Sequence, residues 1–404
     1  MRVAIANWTQ RTVGGIETYL ARVVPALADA GLELSFFSEG VGPSDRALIA
    51  LPGPSLSWCV ETMGERNALE GLRAFRPDLL YVNGIRSPEL ENRLDAIAAR
   101  VVSVHAYVGT CISGTKMHAF PFAEPCNKIF GPACLVQYFP RRCGGMRPLR
   151  MLRDYNLQQQ RLELLRSARA VVAHSVHMKT ECERHGVAAN VVPLPAAPSN
   201  EGARVHRLRS PDAVRLLFVG RFDRLKGGAL LIESLKRVAT QLCRTISVSF
   251  VGDGPEASTW RRLAKRVERD TAEIHISFQG WKSGEDLSEE IRRADLLVVP
   301  STWPEPFGLV GPEAGLFGLP TAAFDVGGVR DWLEDGTNGH LANGSPPTAR
   351  GLAEAVVACL KDDAHYASLR EGARENAARF TLEATTTSLL SVLEGAVSRP
   401  PEPS

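Results

Sequence analysis

Three stretches of this 404-residue chain carry residue types able to hold a charged, hydroxyl-rich ligand. The densest reads Ser301-Thr302-Trp303-Pro304-Glu305-Pro306-Phe307-Gly308-Leu309-Val310-Gly311-Pro312-Glu313-Ala314. A following proline disfavours the α region, so Glu305 falls in a loop. Pro312 suits the first turn of a helix, and Glu313 sits in that turn, where the helix dipole also favours an acid. The string offers a carboxylate, then several free backbone N–H groups, then a second carboxylate. Carboxylates accept hydrogen bonds from sugar hydroxyls, and N–H groups suit phosphate or polar sugar atoms. The second stretch runs from Phe218 through Gly220, Arg221, Asp223 and Lys226 to Gly228. Arg221 and Lys226 leave a strand end within one loop and can meet one diphosphate, arginine as a fork and lysine as a point charge. The third is Val13-Gly14-Gly15-Ile16-Glu17, where two glycines turn the backbone and a helix starting near Ile16 aims its N–H groups outward. It is not GxGxxG, which argues against a dinucleotide-binding dehydrogenase.

The elements that must position these residues are legible as short apolar runs alternating with amphipathic stretches. Strand-like runs fall at 2–6, 33–37, 79–82, 101–105 and 170–173, then at 215–219, 247–251, 275–278, 296–299 and 321–324. Runs that are apolar throughout suit strands covered on both faces, which is the pattern of parallel α/β sheets. Helices are clearest at 16–30, 230–241, 352–360 and 382–397. The pattern occurs twice, and the length asks for two domains. The expected division is 1–195, a linker at 196–213, 214–380, and 381–404 as a helix returning to the first domain with a Pro-rich tail. Two doubly wound domains leave ligand sites at the carboxyl ends of their strands.

Composition narrows the class. A net charge of +2 is too mild to argue for nucleic acid and permits anionic small molecules. The first residues are not a signal peptide, and no run of about 18 apolar residues exists, so a cytoplasmic chain, at most peripheral to the inner membrane face, is expected.

The string around Glu305 resembles the E-x7-E signature of glycosyltransferase family 4, the retaining group 1 glycosyltransferases. Val251-Gly252-Asp253-Gly254-Pro255-Glu256 is similar to that family's GxGP turn, and Phe278-Gln279-Gly280-Trp281 to its strand at the nucleobase. Gly318-Leu319-Pro320, Gly327-Gly328-Val329 and the run 335–339 match its later landmarks. The resemblance covers about residues 1 to 395 and is denser in the second half. It implies the GT-B fold, two Rossmann-like doubly wound domains facing across a cleft. It also implies a nucleotide-sugar donor, a glycan, glycolipid or small-molecule hydroxyl acceptor, no nucleic acid and no catalytic metal. Glu313 would bind the ribose hydroxyls and Glu305 the donor sugar. Backbone N–H groups of Phe307, Gly308, Leu309 and Val310 would touch sugar and phosphate. Arg221 and Lys226 would neutralise the diphosphate beside Gly220, Trp281 would lie near the base, and Gly15 would approach from the first domain. His105 would donate or accept a hydrogen bond in the sugar site. Assembly of bacterial surface polysaccharide or glycolipid is the implied context. A GT-B 2-epimerase and a non-catalytic nucleotide-sugar binding protein are the alternatives.

Residues 106–150 depart from this pattern by their length. Cys111, Cys126, Cys134 and Cys143 lie there, with intervals of 14, 7 and 8 residues and no CxxC. They read first as reduced thiols, with a structural zinc less favoured and disulfides least. Arg141, Arg142, Arg147, Arg150 and Arg153 form a basic cluster that suits either a solvated face or peripheral contact with anionic lipid or a polyprenyl-diphosphate. His174 and His177 read as structural or site-lining.

Overall fold

A computed structural model describes residues 1–51, 56–196 and 212–398. The expected linker, apart from Ala196, Asp212 and Ala213, and the tail from Arg399 lie outside the described residues. The chain forms two compact units. The first holds the described residues of Met1–Thr115, Lys128–Pro195 and Leu382–Ser404, and the second those of Lys116–Asn127 and Ala196–Thr381.

Fifteen strands occur among the described residues. They are β1 (Arg2–Asn7), β2 (Glu33–Ser38), β3 (Leu56–Cys59), β4 (Leu79–Val82), β5 (Ala99–Val104), β6 (Met117–His118), β7 (Glu124–Pro125), β8 (Ala170–Ala173), β9 (Asn190–Val191), β10 (Ala213–Val219), β11 (Thr245–Val251), β12 (Ile274–Gly280), β13 (Leu296–Val299), β14 (Thr321–Phe324) and β15 (Gly339–Ala342). The first unit has a parallel sheet of order β3-β2-β1-β4-β5-β8-β9, and the second a parallel sheet of order β12-β11-β10-β13-β14-β15. Every apolar run read from the sequence became a strand. The unforeseen strands are edge or hairpin pieces. β3 is half-exposed and β9 exposed, so neither carries the continuous apolar run of a covered strand. Residues 106–150 hold the antiparallel pair β6/β7, the helix Ala133–Gln137 and the start of the helix Pro148–Arg166.

Helices pack because one face is apolar. In Gly15–Asp29 the buried side chains Tyr19, Leu20, Val23, Val24 and Leu27 share one stripe. They meet Val3, Ile5, Phe36, Tyr81 and Val101 of the sheet, and Leu389 and Leu393 of the helix Leu382–Ser398 complete the same cluster with no exposed surface. Truncating Leu393 to alanine should therefore cost about 2–5 kcal/mol of stability in urea unfolding, the range for a fully buried leucine. A loss under about 1 kcal/mol would mean that the terminal helix is not part of this core.

Candidate functional site

In the second unit the parallel strands deliver their following loops to one edge, and backbone hydrogen bonds join those loops. Gly220 N donates to Val251 O (3.0 Å), Phe222 N to Asp253 O (2.8 Å), Gly252 N to Gly280 O (2.8 Å), and Thr302 N to Leu225 O (2.8 Å). Two glycines permit the closest approaches. Gly227 has φ +69°, and a Cβ there would lie 1.8 Å from Pro300 O. Gly327 has φ +58°, and its Cβ would lie 2.4 Å from Glu305 O. Both positions combine a left-handed backbone with backbone contact, which no other residue tolerates.

These loops place Glu305, only 5% exposed, at the centre of a polar group. Its Oε1 accepts from Lys226 Nζ (2.6 Å) and from Ser301 Oγ (2.5 Å). Its Oε2 accepts from no described residue. Lys226 Nζ also stands 5.6 Å from the centroid of the Trp303 ring. Arg221 is exposed, and its guanidinium pairs with no described residue. The N–H groups of Phe307, Gly308 and Leu309 donate to no described residue, and Val310 opens the helix Val310–Gly315 without an intrahelical partner. Trp332 anchors this loop: its Nε1 donates to Phe307 O (2.6 Å) and its ring lies against Gly311. Phe307 is buried and packs on Phe380 at 5.3 Å, so it faces the site with backbone alone. Glu313 is half-buried in the first helical turn, and Trp281 is 66% exposed just beyond β12. Glu305, Lys226 and Ser301 are thus in direct contact. Gly220 joins them through the loop network, and Arg221 shares the Lys226 loop.

In the first unit, register brings polar residues together at adjacent strand ends. β5 ends at Val104, so His105 is the first residue beyond it, a one-residue correction to the run 101–105. Val82 pairs with Val102, and Val104 with Ala173, so Asn83, Ser103, His105 and His174 gather across three strands. His174 Nδ1 lies 2.9 Å from Val192 O, a pure acceptor, so Nδ1 carries the proton. His174 Nε2 then accepts from Ser103 Oγ at 2.8 Å. That leaves the Ser103 oxygen to accept from His105 Nε2 at 3.0 Å. Asn83 acts likewise. Its Nδ2 donates to Tyr81 O (3.2 Å), which turns Oδ1 toward His105 Nε2 at 3.1 Å. Two arrangements therefore fix His105 as the Nε2–H tautomer, with Nδ1 as an acceptor that no described residue uses. Burial, and next the neighbouring His174, hold His105 well below the ordinary histidine range, and burial pushes His174 down to about 4. Both are neutral near pH 7.

The Gly14-Gly15 turn works differently from its sequence reading. Neither glycine has a positive φ, and a Cβ at Gly15 would meet nothing within 4 Å. The turn is held instead by Glu17, whose Oε2 accepts from Gly14 N (2.9 Å) and whose Oε1 accepts from Asn7 Nδ2 (3.0 Å) and Trp8 Nε1 (2.9 Å). Space before Gly15 is open. Among the described residues no three histidine, cysteine or acidic side chains form a group suited to a metal. Ser301 and Ser103 escaped the sequence reading, although each had a signal. Ser301 opens the Glu305 string, and Ser103 lies two residues before His105, on the same strand face.

A model of the family described as "Glycosyl transferases group 1" matches residues 203–376. The chain is similar to D-inositol 3-phosphate glycosyltransferase 1 of Catenulispora acidiphila, 34% identical over 407 residues, covering 95% of this chain and 91% of that one. Its match to the D-inositol 3-phosphate glycosyltransferase of Xylanimonas cellulosilytica is 32% identical over 212 residues. That match takes in 51% of this chain and about half (49%) of the relative's length. Among solved structures it is similar to the Anabaena protein HepE in complex with UDP and glucose, with TM-score 0.66 and 18% identity over 97% of this chain and 99% of that one. That likeness shows the fold, which is of the GT-B class.

The buried histidines give stability a pH dependence of definite sign. On acidification below about 6.5 the unfolded chain takes up a proton that folded His174 refuses until about pH 4. Stability should fall across that window, by about 2 kcal/mol between pH 7 and pH 5 for His174 alone. Urea unfolding of wild type and His174→Gln should show a smaller loss in the variant. An equal loss in both would contradict the buried neutral state.

Proposed function

The chain belongs to the group 1 glycosyltransferase family, and on that basis we propose that it moves a sugar from a nucleoside-diphosphate sugar to a hydroxyl acceptor, with retention at the anomeric carbon, as in glycosyltransferase family 4. The observation that carries this reading is the polar group around Glu305. A carboxylate with one oxygen that no described residue uses lies beside a lysine, on a loop whose N–H groups at Phe307, Gly308 and Leu309 have no partner among the described residues, and Arg221, which pairs with none of them, shares the lysine's loop.

In the reaction the bond from the anomeric carbon to the diphosphate oxygen breaks, and a bond to the acceptor oxygen forms on the same face. The acceptor proton passes to the departing phosphate. Negative charge grows on the diphosphate, and Arg221 and Lys226 are the cations that meet it, beside Gly220. Lys226, paired with Glu305, is shared with the diphosphate when donor binds. Glu305 Oε2 accepts from hydroxyls of the donor sugar and Glu313 from those of the ribose. The N–H groups of Phe307, Gly308, Leu309 and Val310 donate to sugar and phosphate, and Trp281 lies near the base. His105 Nδ1 accepts from a sugar hydroxyl at the strand ends of the first unit. No metal is required, since two cations serve the leaving group. The acceptor is a glycan, a glycolipid or a hydroxyl-bearing small molecule, with bacterial surface polysaccharide or glycolipid synthesis as the setting in the cytoplasm.

Purified protein with a panel of UDP-, GDP- and ADP-sugars should release nucleoside diphosphate from one donor when a matching acceptor is supplied. Glu305→Gln, which keeps the shape but loses the charge that holds Lys226, should lower kcat about 100-fold. Equal donor turnover without any acceptor would favour a 2-epimerase, and nucleotide binding without turnover over a broad acceptor panel would favour a binding protein.

A further inference from the structure

We propose that the face formed by residues 129–153 of the first unit docks on an anionic lipid bilayer, lying in its interface without crossing it. Between Glu124 and Asp154 the chain has six cations, Lys128, Arg141, Arg142, Arg147, Arg150 and Arg153, and no acid. The whole chain carries +2, so the remainder sums to −4 and the basic excess is local. Interleaved with these cations are large apolar side chains turned to solvent. Leu149 is 82% exposed, Val136 72%, Met146 69%, Ile129 53% and Leu152 47%. Single exposed apolar residues are ordinary, but five within one short basic segment mark an interaction surface.

The segment has a packed underside that holds it in place. Tyr138, fully buried, donates to Asp154 Oδ2 (3.4 Å), and a Cβ on Gly144 would stand 2.3 Å from the Tyr138 hydroxyl. Buried Phe130 meets Tyr155 at 5.1 Å, which ties the run before the helix Ala133–Gln137 to the helix Pro148–Arg166. Arg147 and Arg153 pair with no described carboxylate, and the exposed Arg150–Asp154 pair at 3.5 Å holds its arginine weakly.

Aliphatic side chains beside arginines, of which Arg147 and Arg153 pair with no described carboxylate, fit a bilayer interface. The apolar groups enter the acyl boundary while the guanidinium groups reach anionic headgroups. A nucleic acid would use the cations and leave Leu149 and Met146 exposed. No described helix is long and apolar enough to cross a membrane, so contact is confined to the surface. The same helix carries Gln158, whose Oε1 accepts from Gly109 N (2.7 Å) in the loop after His105. Leu149 lies about 14 Å further along it, at 1.5 Å per residue.

The test is flotation of the full chain with vesicles of phosphatidylcholine alone or mixed with phosphatidylglycerol, which needs neither donor nor acceptor. Binding is expected only with phosphatidylglycerol, and raised salt should release it. Arg147→Glu with Arg153→Glu, and separately Met146→Ser with Leu149→Ser, should each weaken binding about tenfold. All four positions are exposed, so thermal melts should match wild type. No flotation of wild type, or flotation of both double variants equal to that of wild type, would overturn the proposal. So would lipid-free dimerisation that the Met146/Leu149 variant abolishes, which would make the occupant a second copy. RNA binding without flotation would overturn it as well.

Discussion

The close approach of strand-end loops in the second unit is the constraint on which its site depends. Gly227 against Pro300 and Gly327 against Glu305 allow main chains to touch where any side chain would separate them. Because the loops touch, the carboxylate of Glu305 reaches a lysine 79 positions earlier in the chain. A part-buried ion pair of this kind is weak evidence for stability, since desolvation offsets much of its attraction. Its value lies in orientation. One oxygen of Glu305 is fully used by Lys226 and Ser301, and the other is held toward whatever enters.

The first unit solves a related problem with hydrogen-bond direction. A carbonyl can only accept, so Val192 fixes the proton on His174, and the order of donors then passes through Ser103 to His105. Asn83 reaches the same result from β4. The outcome is a neutral imidazole whose Nδ1 acceptor no described residue uses. Parallel register makes this possible, since residues one step beyond neighbouring strands stand side by side.

Much of this architecture was legible in the residues. Covered parallel strands need apolar side chains on both faces, so runs such as Leu296–Val299 and Thr321–Phe324 announced themselves. The exposed strands Leu56–Cys59 and Asn190–Val191 had no such need and gave no signal. The string from Ser301 to Ala314 pointed to Glu305 and Glu313 by its prolines and spacing. Contact between Glu305 and Lys226 was not legible, because it depends on how closely two loops approach. The roles of Ser103 and His174 were also hidden, since tautomer direction is a property of contacts and not of composition. The two glycines at 14 and 15 suggested a tight turn made by glycine, whereas the backbone there is ordinary and Glu17 holds the turn by hydrogen bonds.

The proposed function requires the strand-end group of the second unit to bind a nucleoside diphosphate through Arg221, Lys226 and Glu313. Calorimetric titration of UDP, GDP and ADP into wild type and into Arg221→Ala and Glu313→Ala variants tests it most directly. One nucleotide is expected to bind the wild type, and each substitution to weaken it at least about tenfold, roughly 1.4 kcal/mol. Failure of all three nucleotides to bind, or equal affinity in the wild type and both variants, would contradict it.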